Sequence, residues 1–113
     1  MNIDSYSFGR IVIDGREFSD DVVITPAGVR GGWWRAKGHD VSLFDLAEAF
    51  KTKPRTLIIG TGASGVCRVL PEVAQYCRVQ KVLLIVKNTP EAVAEYNALE
   101  DKSGVVAALH LTC

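Results

Sequence analysis

The rhythm of hydrophobic and polar positions changes about a third of the way along the chain. Up to Trp34 it is that of short strands separated by turns. Tyr6-Ser7-Phe8-Gly9-Arg10-Ile11-Val12-Ile13 is β-rich, and the Asp14-Gly15 behind it is a hairpin signal. Val22-Val23-Ile24 reads as the next strand and Thr25-Pro26-Ala27-Gly28 as a turn. Val29 to Trp34 is then the returning strand, in which Gly31-Gly32 predicts a bulge or a close backbone approach. Connections this short cannot make a parallel crossover, so these strands are expected to be antiparallel.

From Val41 the period is helical. Leu43, Leu46, Ala47 and Phe50 fall on one helix face, with Ser42 and Asp45 as a capping box at its start. Three continuous apolar runs follow, Leu57-Ile58-Ile59, Val82 to Val86 and Val105 to Leu109, the pattern of strands buried on both faces. Between them lie two amphipathic stripes. Leu70, Val73, Ala74 and Cys77 make the first, with Pro71 tolerable only in its first turn. Ala92, Val93, Tyr96 and Leu99 make the second, with Thr89 as N-cap and Pro90 at the first helical position. The second half therefore predicts β-α-β-α-β with parallel, right-handed crossovers. The fold class is α/β: a mixed central sheet, parallel in its C-terminal half, with N-terminal antiparallel strands and hairpins, in a single domain over residues 1–113.

Composition narrows the function classes. Thirteen Lys and Arg balance thirteen Asp and Glu, which argues against a nucleic-acid partner, because phosphate contacts require excess cations. The longest apolar runs are too short for membrane insertion, and residues 1–5 have neither the basic nor the apolar stretch of an export signal, so a cytoplasmic location is expected. Three cysteines without a CxxC provide neither a paired disulfide framework nor a four-cysteine zinc site.

Gly60-Thr61-Gly62-Ala63-Ser64-Gly65 is a GxGxxG directly after a buried strand. In a dinucleotide-binding fold the next strand would end in an acid for the ribose, but Val86-Lys87-Asn88 offers a cation and an amide. No nucleotide cofactor is expected; a small anion held by loop N–H groups is the looser reading, and a simple tight turn the plainer one. Adjacent Trp33 and Trp34 point to opposite faces of an extended segment, so one of them is expected to be exposed as a ligand wall or protein interface. Arg35 could fork onto a carboxylate or phosphate, or pair with a neighbouring acid, and His39 could cap a turn. At the end of the chain His110 and Thr112 share one face of an extended strand and Leu109, Leu111 and Cys113 the other, with His110 at the carboxyl end of a parallel strand. Cys67 and Cys77 read as core packing. No ligand spacing for a metal and no complete catalytic constellation is present, so no catalytic residue is assigned.

Taken in order, Tyr6-x-Phe8-Gly9 with Ile11 and Ile13, Gly31-Gly32-Trp33-Trp34-Arg35 with Gly38-His39, Gly60-Thr61-Gly62, Thr89-Pro90-Glu91-Ala92 with Tyr96-Asn97-x-Leu99, and Leu109-His110-Leu111-Thr112-Cys113 resemble one small family over nearly the whole chain. It includes the mitochondrial complex I assembly factor 3 and the adipogenesis-associated protein of animals, with many bacterial and archaeal members. The resemblance implies a mixed α/β domain without established catalysis. The mitochondrial relative acts by binding other assembly proteins, so the implied partners are proteins. The recurring positions map onto Trp34, Arg35, His39, Gly60, Gly62, Asn97 and His110, and with Thr61 they form the candidate ligand-binding set. Two functions follow: a non-catalytic binding or assembly protein, by resemblance for a membrane respiratory complex, or a small-anion site at the 60–65 loop served by Arg35 with His39 or His110, with enzymatic chemistry as its extension.

Overall fold

The computed structural model describes residues 1–113, and its strands belong to three sheets. β1 (Ile3–Ser7), β2 (Arg10–Ile13) and β3 (Arg16–Phe18) form an antiparallel meander. What reads in sequence as one β-rich run over Tyr6–Ile13 is thus two strands. They fold back at Phe8-Gly9, where Gly9 takes φ +75°, a conformation that glycine adopts without steric cost.

The central sheet has five strands in the order β5 (Gly28–Gly31), β4 (Val22–Thr25), β10 (Val105–His110), β7 (Thr56–Thr61), β9 (Leu83–Lys87). β4 (Val22–Thr25) and β5 (Gly28–Gly31) make the expected hairpin. The expected irregularity falls at Gly32, φ +71°, after which Trp33 N–H returns to the Asp21 carbonyl at 2.9 Å. β7 (Thr56–Thr61), β9 (Leu83–Lys87) and β10 (Val105–His110) are the parallel strands, with β10 antiparallel to β4. A short parallel pair, β6 (Asp40–Val41) with β8 (Arg68–Val69), lies outside this sheet.

The crossovers leave the sheet on opposite faces. α2 (Pro71–Val79) connects β7 to β9 and buries Val73 and Cys77 against Leu57, Ile59, Val106 and Ala108. α3 (Thr89–Ala98) connects β9 to β10 and buries Ala92 and Tyr96 against Ile58, Ala107 and Leu109, the face that the β1–β3 meander also covers. β7 and β10 thus feed both cores alternately along their length. Leu57, Ile58 and Ile59 are fully buried, each contributing about 1.5–3 kcal/mol of transfer free energy. β9 departs from expectation. As an edge strand it leaves Leu83 and Val86 exposed, so its apolar run does not signify burial on both faces.

Two helix starts also differ in detail. Asn88 is the N-cap of α3 and accepts from Glu91 N–H at 3.0 Å, which moves Thr89 to the first helical position and Pro90 to the second. The capping-box contacts between Ser42 and Asp45 are made, but the segment opens as a 3-10 turn (Phe44–Leu46) before the short α1 (Ala47–Lys51). No helix is long and apolar enough to cross a membrane.

Candidate functional site

In an open α/β sheet sites lie at the carboxyl ends of the parallel strands, here those of β7 and β10. A buried ionic cluster sits at that point. β10 delivers His110, the segment after β5 delivers Arg35, and the residue before β4 delivers Asp21. The antiparallel register that pairs Leu109 with Val22 brings residues 110 and 21 alongside each other. Asp21 Oδ2 lies 2.7 Å from His110 Nδ1 and 2.8 Å from Arg35 Nη1, and Asp21 Oδ1 accepts from Leu111 N–H at 2.8 Å. A carboxylate only accepts, so His110 Nδ1 carries its proton toward Asp21; Arg35 Nη2 also lies 3.0 Å from Nδ1, and the Thr112 hydroxyl 3.3 Å from Nε2. The Arg35 side chain is only 6% exposed. It stacks over Trp33 at 4.8 Å and donates from Nε to the Gly38 carbonyl at 3.0 Å. Burial pushes the Asp21 carboxyl up, but the hydrogen bonds from His110, Leu111 and Arg35 outweigh burial and hold it below the usual carboxylate value.

The 60–65 loop borders this cluster, and its N–H groups at Gly62, Ala63 and Gly65 are engaged within the chain. Gly62 N–H donates to Thr89 Oγ1 at 2.9 Å, and Thr89 Oγ1 in turn donates to the His110 carbonyl at 2.6 Å. Ala63 N–H holds the Thr112 carbonyl at 2.7 Å, Gly65 N–H the Gly62 carbonyl at 3.1 Å, and Val66 N–H the Cys113 carbonyl at 3.1 Å. The loop therefore does not present the open ring of N–H groups that holding an anion requires. The glycines answer to close packing. A Cβ on Gly60 would lie 2.9 Å from both Leu109 and Thr89 side chains, and one on Gly62 would lie 2.4 Å from the Cys113 carbonyl oxygen. Thr61 turns its hydroxyl to the Lys87 carbonyl at 3.1 Å.

Of the predicted set, Arg35, His39, Gly60, Thr61, Gly62 and His110 gather here. His39 is exposed, and its ring centroid is 6.4 Å from that of His110. Two members lie elsewhere. Asn97 uses its side-chain amide to clasp the backbone of Ile3, at 3.0 and 2.8 Å, and so ties α3 to β1. Trp34 is 70% exposed, while Trp33 packs on the core and donates its indole N–H to the Asp45 carbonyl. Cys113 also departs from strict alternation, because pairing ends at His110 and its thiol reaches His39 Nε2 at 3.7 Å.

Trp34 borders a cleft of about 610 Å³ whose apolar lining, including Val23, Trp33, Ala47 and Phe44, is mixed with Arg30, Glu48 and Lys51. Phe44, 77% exposed, also borders a second cleft of about 600 Å³ with Leu43, Phe50 and Tyr76.

The family model described as "Protein of unknown function (DUF498/DUF598)" matches residues 3–110. The conserved hypothetical protein PH1505 of Pyrococcus horikoshii is similar at 31% identity, covering 100% of both chains with a TM-score of 0.85. The Rpa2829 protein of Rhodopseudomonas palustris is 28% identical, with 96% of this chain and 81% of that one covered and a TM-score of 0.78. A Bordetella pertussis protein described as an Mth938-like domain shares the fold at 22% identity and a TM-score of 0.75, covering 97% of this chain and 85% of that one. The chain belongs to the DUF498/DUF598 family.

Proposed function

We propose that this DUF498/DUF598 member is a non-catalytic protein-binding domain that docks its partner on the aromatic shoulder formed by Trp34 and Phe44. The observation that carries this reading is the 70% exposure of Trp34 beside a sheathed Trp33. A large aromatic side chain held in water at the rim of an apolar cleft is the usual anchor of a protein interface. Phe44 extends the same surface, and the two clefts on either side of it offer room for a partner's apolar side chains. The resemblance to the assembly-factor family supports a partner among the components of a membrane respiratory complex, met from the cytoplasm. The anion reading has less support, since the donors it needs are engaged by Thr89, Thr112 and Cys113.

The test is a quantitative native pull-down with the wild-type chain, Trp34→Ser and Phe44→Ser. A defined set of proteins that binds the wild type and is lost from both variants supports the reading. A wild-type set that both variants retain in full, or no specific set at all, overturns it.

A further inference from the structure

We infer that Cys113 and His39 form a reactive thiol–imidazole pair, a site of reversible thiolation by low-molecular-weight disulfides. The three thiols differ sharply in setting. Cys67 and Cys77 are buried, and burial raises both above the ordinary thiol value. Cys113 is exposed, with its Sγ 3.7 Å from His39 Nε2, within reach for proton transfer from sulfur to nitrogen. Both partners are held in place. The Thr112 and Cys113 carbonyls are gripped by Ala63 and Val66 N–H, and the His39 carbonyl accepts from Arg68 N–H at 2.7 Å.

The charged side chains near the pair are themselves paired. Near the pair lie His110, its ring centroid 6.4 Å from that of His39, with the Asp21 and Arg35 bonded to it, and Asp40 and Arg68, the latter donating its N–H to the His39 carbonyl. The two carboxylates are each offset by a cation, Asp21 by Arg35 at 2.8 Å and Asp40 by Arg68 at 3.6 Å.

The exchange step balances without a further reagent. The proton passes from Cys113 Sγ to His39 Nε2, and the thiolate attacks one sulfur of the disulfide. A new S–S bond forms as the old one breaks, and the leaving thiolate takes the proton back from the imidazolium. The incoming disulfide is reduced to one free thiol and one bound half. This chemistry suits an open thiol, since it requires access and a proton acceptor but no cavity that excludes water.

The test measures alkylation of each cysteine by iodoacetamide, by peptide mass spectrometry between pH 5.5 and 9, in the full chain and in His39→Gln, with N-acetylcysteine as reference. At pH 6.5 wild-type Cys113 is expected to react roughly fivefold or more faster than N-acetylcysteine, as a thiol with a proton acceptor beside it does, and His39→Gln to return it to the reference. Glutathione disulfide should then add to Cys113, not to Cys67 or Cys77, and dithiothreitol should remove it. A wild-type Cys113 that tracks N-acetylcysteine across the pH range overturns the inference. So does an unchanged rate in a folded His39→Gln, or equal labelling of all three cysteines. Should His39→Gln unfold, the wild-type pH profile alone decides.

Discussion

Two regions that lie a few residues apart in sequence handle their chemistry in opposite ways. Arg35 is drawn inward, and its charge is matched by Asp21 within a knot that also takes up His110 and the Leu111 N–H. Trp34, the residue before it, is left in water with Phe44 as companion. The knot places polar groups where burial is costly and satisfies them; no buried side-chain nitrogen or oxygen lacks a partner. The shoulder leaves apolar groups where water would be better excluded. The first arrangement stabilises the fold whatever binds, whereas the second gains only when something covers it.

That contrast can be broken from the knot's side first. Asp21→Ala removes the acid but leaves a buried guanidinium, at an expected cost of about 3–5 kcal/mol, read as a lowered midpoint in urea unfolding. A cost below about 1 kcal/mol, the scale of an exposed ion pair, would show that the knot is solvated and not structural. Gly62→Ala should cost roughly 1–3 kcal/mol, since the residue has φ +109° and its Cβ would strike Cys113. Faster amide exchange at Ala63 and Val66 would show that residues 112–113 have left the loop, and unchanged protection there would refute that account.

Acid should loosen the same knot. The folded Asp21 carboxyl is held below its unfolded value, so its contribution is complete above about pH 4 and is lost as pH falls through the depressed folded value. Asp21→Asn should therefore flatten the decline of stability with acidification, measured as thermal midpoint against pH. A slope identical to wild type would remove Asp21 from the account. The smallest effect belongs to the shoulder. Trp34→Ala should change stability by no more than about 0.5 kcal/mol, as for exposed positions in general, with its cost appearing only in partner binding.

The parallel core was legible because Leu57-Ile58-Ile59 and Val105 to Leu109 are apolar without alternation, and the stripes between them have helical spacing. His110 could be placed at a strand's carboxyl end on the same grounds. Asp21 could not. Its importance depends on β4 pairing with β10, a contact that spans most of the chain and is set by register rather than by local pattern. The available hint was an acid immediately before the wholly apolar Val22-Val23-Ile24. In sequence Thr89 reads as a cap, because Thr before Pro suits a helix start. Its hydroxyl instead bridges Gly62 and His110, which leaves the cap to Asn88. Phe44 is not legible from the pattern, because the stripe of Leu43, Leu46, Ala47 and Phe50 marks the opposite face of the segment and Phe44 projects into water.

The position of β10 has a kinetic consequence. It is the last strand in chain order, yet it lies between β4 and β7, joining the hairpin half of the sheet to the parallel half. During synthesis from the amino end, both halves must wait with open edges until residues 105–110 emerge. Folding dominated by such late, long-range pairing is slow and exposed to mispairing, so the apolar strands of this small domain spend their most vulnerable interval on the ribosome.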